Sequence, residues 1–136
     1  MRNTTGRFVS AALLAVALVG TGTGAAHAQG GSDAKEVRVY GHCTGYSQWG
    51  LKVKKDDGAL EVEFEVDSNK VGQAWSVAMY NKGARFFYGT GRTVAPSGSF
   101  EISRRTTTLA GDDHLTAGAT NPVTGEKCVA SMYYGY

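Results

Sequence analysis

Between Trp49 and Val66, apolar and charged residues alternate on both sides of an Asp57-Gly58 pair, and the two alternations match. Trp49, Leu51 and Val53 share one face of the first arm, and Leu60, Val62, Phe64 and Val66 share one face of the second. The opposite faces carry Lys52 and Lys54, then Glu61, Glu63 and Glu65. A two-residue loop at Asp57-Gly58, a pair favoured in hairpin turns, sets Val53 against Val62, Leu51 against Phe64, Lys54 against Glu61 and Lys52 against Glu63. Apolar then meets apolar and plus meets minus, and a slip of one residue would invert both faces at once. This pattern predicts antiparallel sheet with one buried side and one solvated side.

Residues 1–28 read as a secretory signal peptide. Arg2 and Arg7 give a basic start, Phe8 to Val19 is an apolar run too short to serve as a membrane anchor, and Ala26-His27-Ala28 has the small-x-small pattern of a cleavage site. No cysteine closely follows that run, which argues against a lipoprotein leader. Arg2 and Arg7 are two of the 14 basic residues and none of the 12 acidic ones lies there, so the rest of the chain balances at 12 against 12. A neutral chain lacks the long-range field that draws nucleic acid or an anionic membrane, and neither is expected as a partner.

Two cysteines, Cys43 and Cys128, in a chain sent to an oxidising compartment imply one disulfide. Closing so long a loop is worth up to about 4–5 kcal/mol in the chain-entropy picture. Free or intermolecular thiols are the alternative. With only His42 and His114 outside the leader, no metal-ligand spacing appears, and no metal or cofactor is expected. Removing 28 residues from 136 leaves 108, enough for one small domain. Residues 29–35, rich in Gly, Ser and Asp without an apolar anchor, predict a flexible tail, and 36–136 a single domain.

Short alternating runs recur along that domain, with turn residues between them. After an edge-like run from Glu36 to His42 and the hairpin, they fall at Gln73 to Asn81, Ala84 to Arg92, Ser99 to Arg105, His114 to Asn121 and Glu126 to Tyr134. No segment outside the leader has helical period. The fold expected is an all-β, immunoglobulin-like antiparallel β-sandwich of about 7–8 strands with one disulfide.

Catalytic chemistry finds no persuasive footing. Asp112, Asp113 and His114 are adjacent, but they stand where a loop enters a strand, a place where Asp bonds nearby backbone. Gly89, Gly91, Arg92 and Thr93 lack the helix and lysine of a phosphate loop, and Ser97-Gly98-Ser99 reads as a turn. Glu61, Glu63 and Glu65 read as partners of the lysine row across from them, with an acidic docking strip as the alternative. No catalytic residue is assigned. Aromatics supply the remaining signal: Phe86, Phe87 and Tyr88 are consecutive and must point to both faces of a strand, and Tyr133, Tyr134 and Tyr136 raise the same question. Exposed rings on a rigid sheet are usual anchors of protein or glycan contacts.

The runs Trp49 to Gly58 and Leu60 to Asn69, with Gly72-Gln-Ala-Trp75, Ser97-Gly-Ser-Phe100, Ala110-Gly-Asp112 and Thr124-Gly-Glu-Lys-Cys128, resemble small exported actinobacterial proteins of immunoglobulin-like appearance. In size and layout the chain also resembles the small adaptor subunit of secreted umbrella-type toxin particles of Streptomyces. That resemblance implies a secreted, extracellular, non-catalytic adaptor that links other subunits, with another secreted protein or complex as partner.

The contact residues expected from the sequence are Val37, Val39 and Tyr40 on the first strand, Phe87, and the C-terminal Tyr133, Tyr134 and Tyr136. Two alternatives stand beside the adaptor. One is a glycan-binding module. The other is an inhibitor of an extracellular hydrolase acting through Ala95 to Ser99 or Asn121 to Glu126, for which no disulfide bracing of either loop is evident.

Overall fold

Asp57 and Gly58 turn the chain with φ of 46° and 75°, the two left-handed residues that a type I′ turn needs, and the twist of that turn matches the twist of the strands it joins. The arms are β2 (Gln48–Asp56) and β3 (Ala59–Asp67). Their register pairs Val53 with Val62, Leu51 with Phe64, Lys54 with Glu61 and Lys52 with Glu63, as the alternation requires. The structure, a computed structural model, describes residues 35–135. The expected signal peptide, residues 29–34 of the expected tail, and Tyr136 lie outside the described residues.

Six further strands complete the fold: β1 (Glu36–His42), β4 (Ala74–Asn81), β5 (Ala84–Arg92), β6 (Ser99–Thr107), β7 (Asp113–Thr120) and β8 (Lys127–Tyr134). All pairings are antiparallel, in two four-stranded sheets of order β1-β2-β3-β6 and β5-β4-β7-β8. β8 packs against β1 and β2, and β6 packs against β5, so the sheets lie face to face. These are the layers of an immunoglobulin-like sandwich. The chain stays in the first sheet through β1, β2 and β3 and first changes layer between β3 and β4.

One apolar cluster fills the space between the sheets. The first sheet supplies Leu51, Val53, Leu60, Val62, Phe64, Val66, Phe100 and Ile102; the second supplies Trp75, Val77, Met79, Leu115, Met132 and three alanines, Ala117, Ala119 and Ala130. Both layers supply large side chains, Phe64 and Phe100 from one and Trp75, Met79 and Met132 from the other, and small residues beside them allow close packing. Phe100 shows the principle directly. Its ring lies so close to Gly91 of β5 that a Cβ there would come within 2.5 Å.

Three ties close the ends of the sandwich. Cys43, just after β1, is bonded to Cys128 of β8, with Cα atoms 4.2 Å apart. The Tyr134 hydroxyl donates to the Lys35 carbonyl at 2.6 Å and accepts from the Lys55 amide at 3.1 Å, joining β8 to the end where the start of β1 lies beside the end of β2. At another point the loops after β3 and β5 interlock: Ser68 donates its amide to the Gly98 carbonyl, Gly72 donates to Thr93, and Thr93 returns its own amide to Gln73. Gly98 fits there because its φ is 76° and a Cβ would stand 2.3 Å from the Lys70 nitrogen.

β5 breaks the simple alternation. Met79 pairs with Phe87 but Tyr80 pairs with Arg85, so Phe86 is an extra residue in a β-bulge. Phe86 and Phe87 both pack against the core as a result, and only Tyr88 of the three consecutive rings is fully turned to solvent.

Replacing Cys43 and Cys128 together by alanine is expected to lower unfolding free energy by about 2–5 kcal/mol, read from denaturant midpoints. Gly98→Ala is expected to cost at least about 2 kcal/mol, because it combines left-handed strain with a backbone collision. An unchanged midpoint for Gly98→Ala would show that the interlocked loops do not hold the layers.

Candidate interaction surface

The two outer faces of the sandwich differ in chemistry. On the first sheet, successive cross-strand rows read Glu36-Lys54-Glu61-Arg105, Arg38-Lys52-Glu63-Ser103, Tyr40-Gly50-Glu65-Glu101 and His42-Gln48-Asp67-Ser99. Lys52 bonds to Glu63, Lys54 to Glu61 at 3.2 Å, Arg38 to Glu36 at 2.9 Å, and Arg105 to Asp56 at 2.6 Å. The Lys54 hydrogen bond holds the Glu61 carboxyl below its ordinary range and in turn raises the Lys54 ammonium. The hydrogen bond from Arg38 likewise lowers Glu36.

Three carboxylates of this face, Glu65, Asp67 and Glu101, have no ion-pair partner among the described residues. Glu65 and Glu101 are direct cross-strand neighbours. Beside Glu65 and Asp67 an open groove of about 340 Å³ runs over Gly50 and Gly41 between Tyr40, His42 and Trp49.

The outer face of the second sheet carries no carboxylate. Its rows read Thr90-Ser76-Thr120-Lys127, Tyr88-Ala78-Gly118-Val129, Arg85-Tyr80-Thr116-Ser131 and His114-Tyr133. Inward neighbours on the same strands are core residues, so strand parity alone puts this set outside. Tyr88 and Val129, on the two edge strands, are 67% and 70% exposed, with Ala78 and Gly118 forming a low floor between them. Tyr133, 72% exposed, stacks on His114 with centroids 4.3 Å apart and planes 9° from parallel. The charged residues stand at the margins: Arg92 and Arg85 along β5 and Lys127 at the start of β8. Arg85 lies 5.3 Å from the Tyr88 ring centre.

A surface of Tyr, Thr, Ser, Ala, Gly and Val costs little to desolvate and loses little side-chain entropy on contact, whereas the paired charges of the first sheet are costly to strip of water. The second sheet therefore presents the better docking face.

The residues expected from the sequence do not form one patch. Tyr133 lies on the second sheet's outer face and Tyr40 on the first's, on opposite sides of the sandwich. Val37 and Val39 turn inward and are half-buried against the core, as is Phe87, whose ring lies 4.6 Å from the Arg104 guanidinium. Tyr134 requires a correction: at 2% exposure it is a core residue, because it shares strand parity with Cys128, which must face inward to reach the other layer. Tyr136 lies outside the described residues. Sequence reasoning passed over Val129, Ala78 and Gly118, although the same parity that exposes Tyr133 exposes Val129.

The Asp113–His114 neighbours face opposite ways. Asp113 is buried and its carboxylate accepts from the Asn81 side chain at 2.6 Å and the Leu109 amide at 2.9 Å, a structural role close to the turn expected from the sequence. His114 faces out, with Nε2 2.8 Å from the Ser131 hydroxyl. A serine beside an imidazole has the composition of a nucleophile–base pair, but here it lies on an open sheet face, and the nearest sequence carboxylate points into the core.

The loop at 121–126 also requires a correction. Asn121 accepts from the Val123 and Thr124 amides, Glu126 accepts from the Ser47 amide at 2.8 Å, and Thr44 donates to the Lys127 carbonyl at 2.8 Å. The disulfide sits at the base of this laced pair of loops and braces them.

Glu61 is stabilising above its ordinary pKa of 4.5 and loses that contribution as pH falls through its lowered value, while Lys54 contributes below the ordinary lysine value of 10.5 and loses it at higher pH. Glu61→Gln is expected to flatten the acid limb of stability against pH, measured by denaturant midpoints from pH 7 down to about pH 3; an acid limb identical to that of the parent protein would contradict this. In comparisons with known proteins, no family model, no curated protein and no solved structure matches this chain.

Proposed function

We propose that this protein is a secreted, non-catalytic protein-binding module of adaptor type, and that the outer face of its second sheet is the main contact surface. The observation that carries the reading is the carboxylate-free face with an uncharged centre at Tyr88, Ala78, Gly118 and Val129. Interfaces have this composition, with charges moved to the rim and tyrosine retained. Export is supported by the leader-like residues 1–28, and the disulfide fits a chain that reaches an oxidising compartment.

An adaptor needs two unlike surfaces on one rigid body. The charged outer face of the first sheet, with its acidic end and groove, supplies a second surface unlike the first. The resemblance to the adaptor subunit of umbrella-type toxin particles supports the same reading, with two secreted subunits as the bridged partners.

The braced 121–126 loop favours a second reading, inhibition of an extracellular hydrolase. Val123 at its tip is 91% exposed. Because the Gly125 amide bonds back to the Asn121 carbonyl, the loop is a closed turn, suited to plugging a cleft. Full activity of a panel of secreted peptidases and glycosidases at a molar excess of the protein would remove it for those targets.

Tagged protein added to native culture supernatant is expected to retain a stoichiometric partner, and Tyr88→Ser with Val129→Ser to reduce recovery roughly tenfold or more while leaving stability within about 0.5 kcal/mol. Recovery of the monomer alone, at concentrations near those of the native medium, would overturn the binding reading.

A further inference from the structure

We infer that the partner of the second sheet is a protein surface with an apolar centre and a carboxylate-bearing rim. The inference rests on the reading of that face as a protein contact surface and adds the chemistry of what it meets. Arg92, Arg85 and Lys127 stand at three corners of the face. None has an ion-pair partner among the described residues. Arg38, Lys52, Lys54 and Arg105 of the other sheet are all neutralised by the chain's own carboxylates.

Charge is thereby sorted by face. The outer face of the first sheet keeps three uncompensated carboxylates, and that of the second keeps three uncompensated cations around a centre without charge; Arg104 of β6, also without an ion pair, shares the inward parity of Val62 and lies over the Phe87 ring. A partner that buries the centre brings its own rim to the three corners, where acidic groups attract and basic groups repel. The spacing favours a protein rim over a linear polyanion. Strands about 4.8 Å apart and residues about 3.3 Å apart put the corners on the order of 15–20 Å from one another, with the uncharged floor between them. A polyanion would need cations along its path, and that path crosses Ala78 and Gly118 instead.

The test places a photo-crosslinking amino acid at Val129 in the full chain, with the same group at Ser103 on the opposite face as the positional control, and adds each to native culture supernatant. Capture of one distinct protein from Val129 but not from Ser103 is expected. Its yield should fall roughly tenfold on raising NaCl from about 0.05 to 0.5 M, and by a similar factor in the triple variant Arg85→Glu, Arg92→Glu, Lys127→Glu. The triple Gln variant should fall between the two, which separates charge reversal from misfolding. The cross-linked peptide should lie next to Asp or Glu residues of the captured protein.

Capture that is indifferent to salt and to both triple variants overturns the acidic rim and leaves the protein-binding reading standing. No capture from Val129 overturns both. Capture of a second copy of this chain, or of a polysaccharide, overturns the inference in favour of self-association or of glycan binding.

Discussion

The pairing of β2 with β3 across Asp57-Gly58 decides which residues of the first sheet face water. With Val53 on Val62 and Leu51 on Phe64, the lysines of one strand stand beside the glutamates of the other, and neither set can move without exposing the core. Each exposed pair adds little to stability. The larger consequence is compositional: a sheet that spends its outer positions on matched charges is well hydrated and resists being covered. β1 and β6 extend the same lattice on either side, through Glu36 with Lys54 and Arg105 with Glu61.

The second sheet answers to a different constraint. Its core positions on β7 and β8 mix small with large, Ala117, Ala119, Cys128 and Ala130 beside Leu115, Met132 and Tyr134, and they fit around the branched and aromatic chains of the first sheet. The inner face of β8 carries both of its ties to the first sheet, Cys128 bonded to Cys43 and Tyr134 to the Lys35 carbonyl, with the small Ala130 between them in the strand. The outer face is ordered by its backbone ladders and by the core beneath it, without charge pairs of its own. Rigidity and a low desolvation cost are the two properties that reduce the free-energy penalty of docking.

Much of this was legible from alternation alone. The eight strands, the hairpin register and the disulfide follow from period-two patterning, turn residues and the presence of just two cysteines. Two failures have specific physical causes. The bulge at Phe86 is an added residue that no alternation announces, so the parity carried from Arg85 forward is lost within one step. Tyr134 was recoverable, since a cysteine that bridges layers must face inward and residues two, four and six positions on must follow it. The contact face was recoverable by the same counting, because outward positions on β4, β5, β7 and β8 hold no Asp or Glu. A search for residues that carry chemistry overlooks a surface defined by what its residues lack.

His114 and Ser131 show how a sheet face can imitate an active site without having its geometry. A hydrogen-bonded imidazole and hydroxyl satisfy the first criterion for a nucleophile. Catalysis also needs a third group to orient the ring and donors aimed at a developing oxyanion, in a site from which water is excluded. Here the ring is oriented by stacking on Tyr133, which holds it parallel to another exposed side chain, and Asp113 is committed to Asn81 and the Leu109 amide inside the core. The same stacking has a plain structural result: it fixes Tyr133 upright at the corner of the face that lacks a cation. A partner covering Tyr88 and Val129 would meet three charged corners and one aromatic one, an asymmetry that orients it on an otherwise nearly featureless sheet.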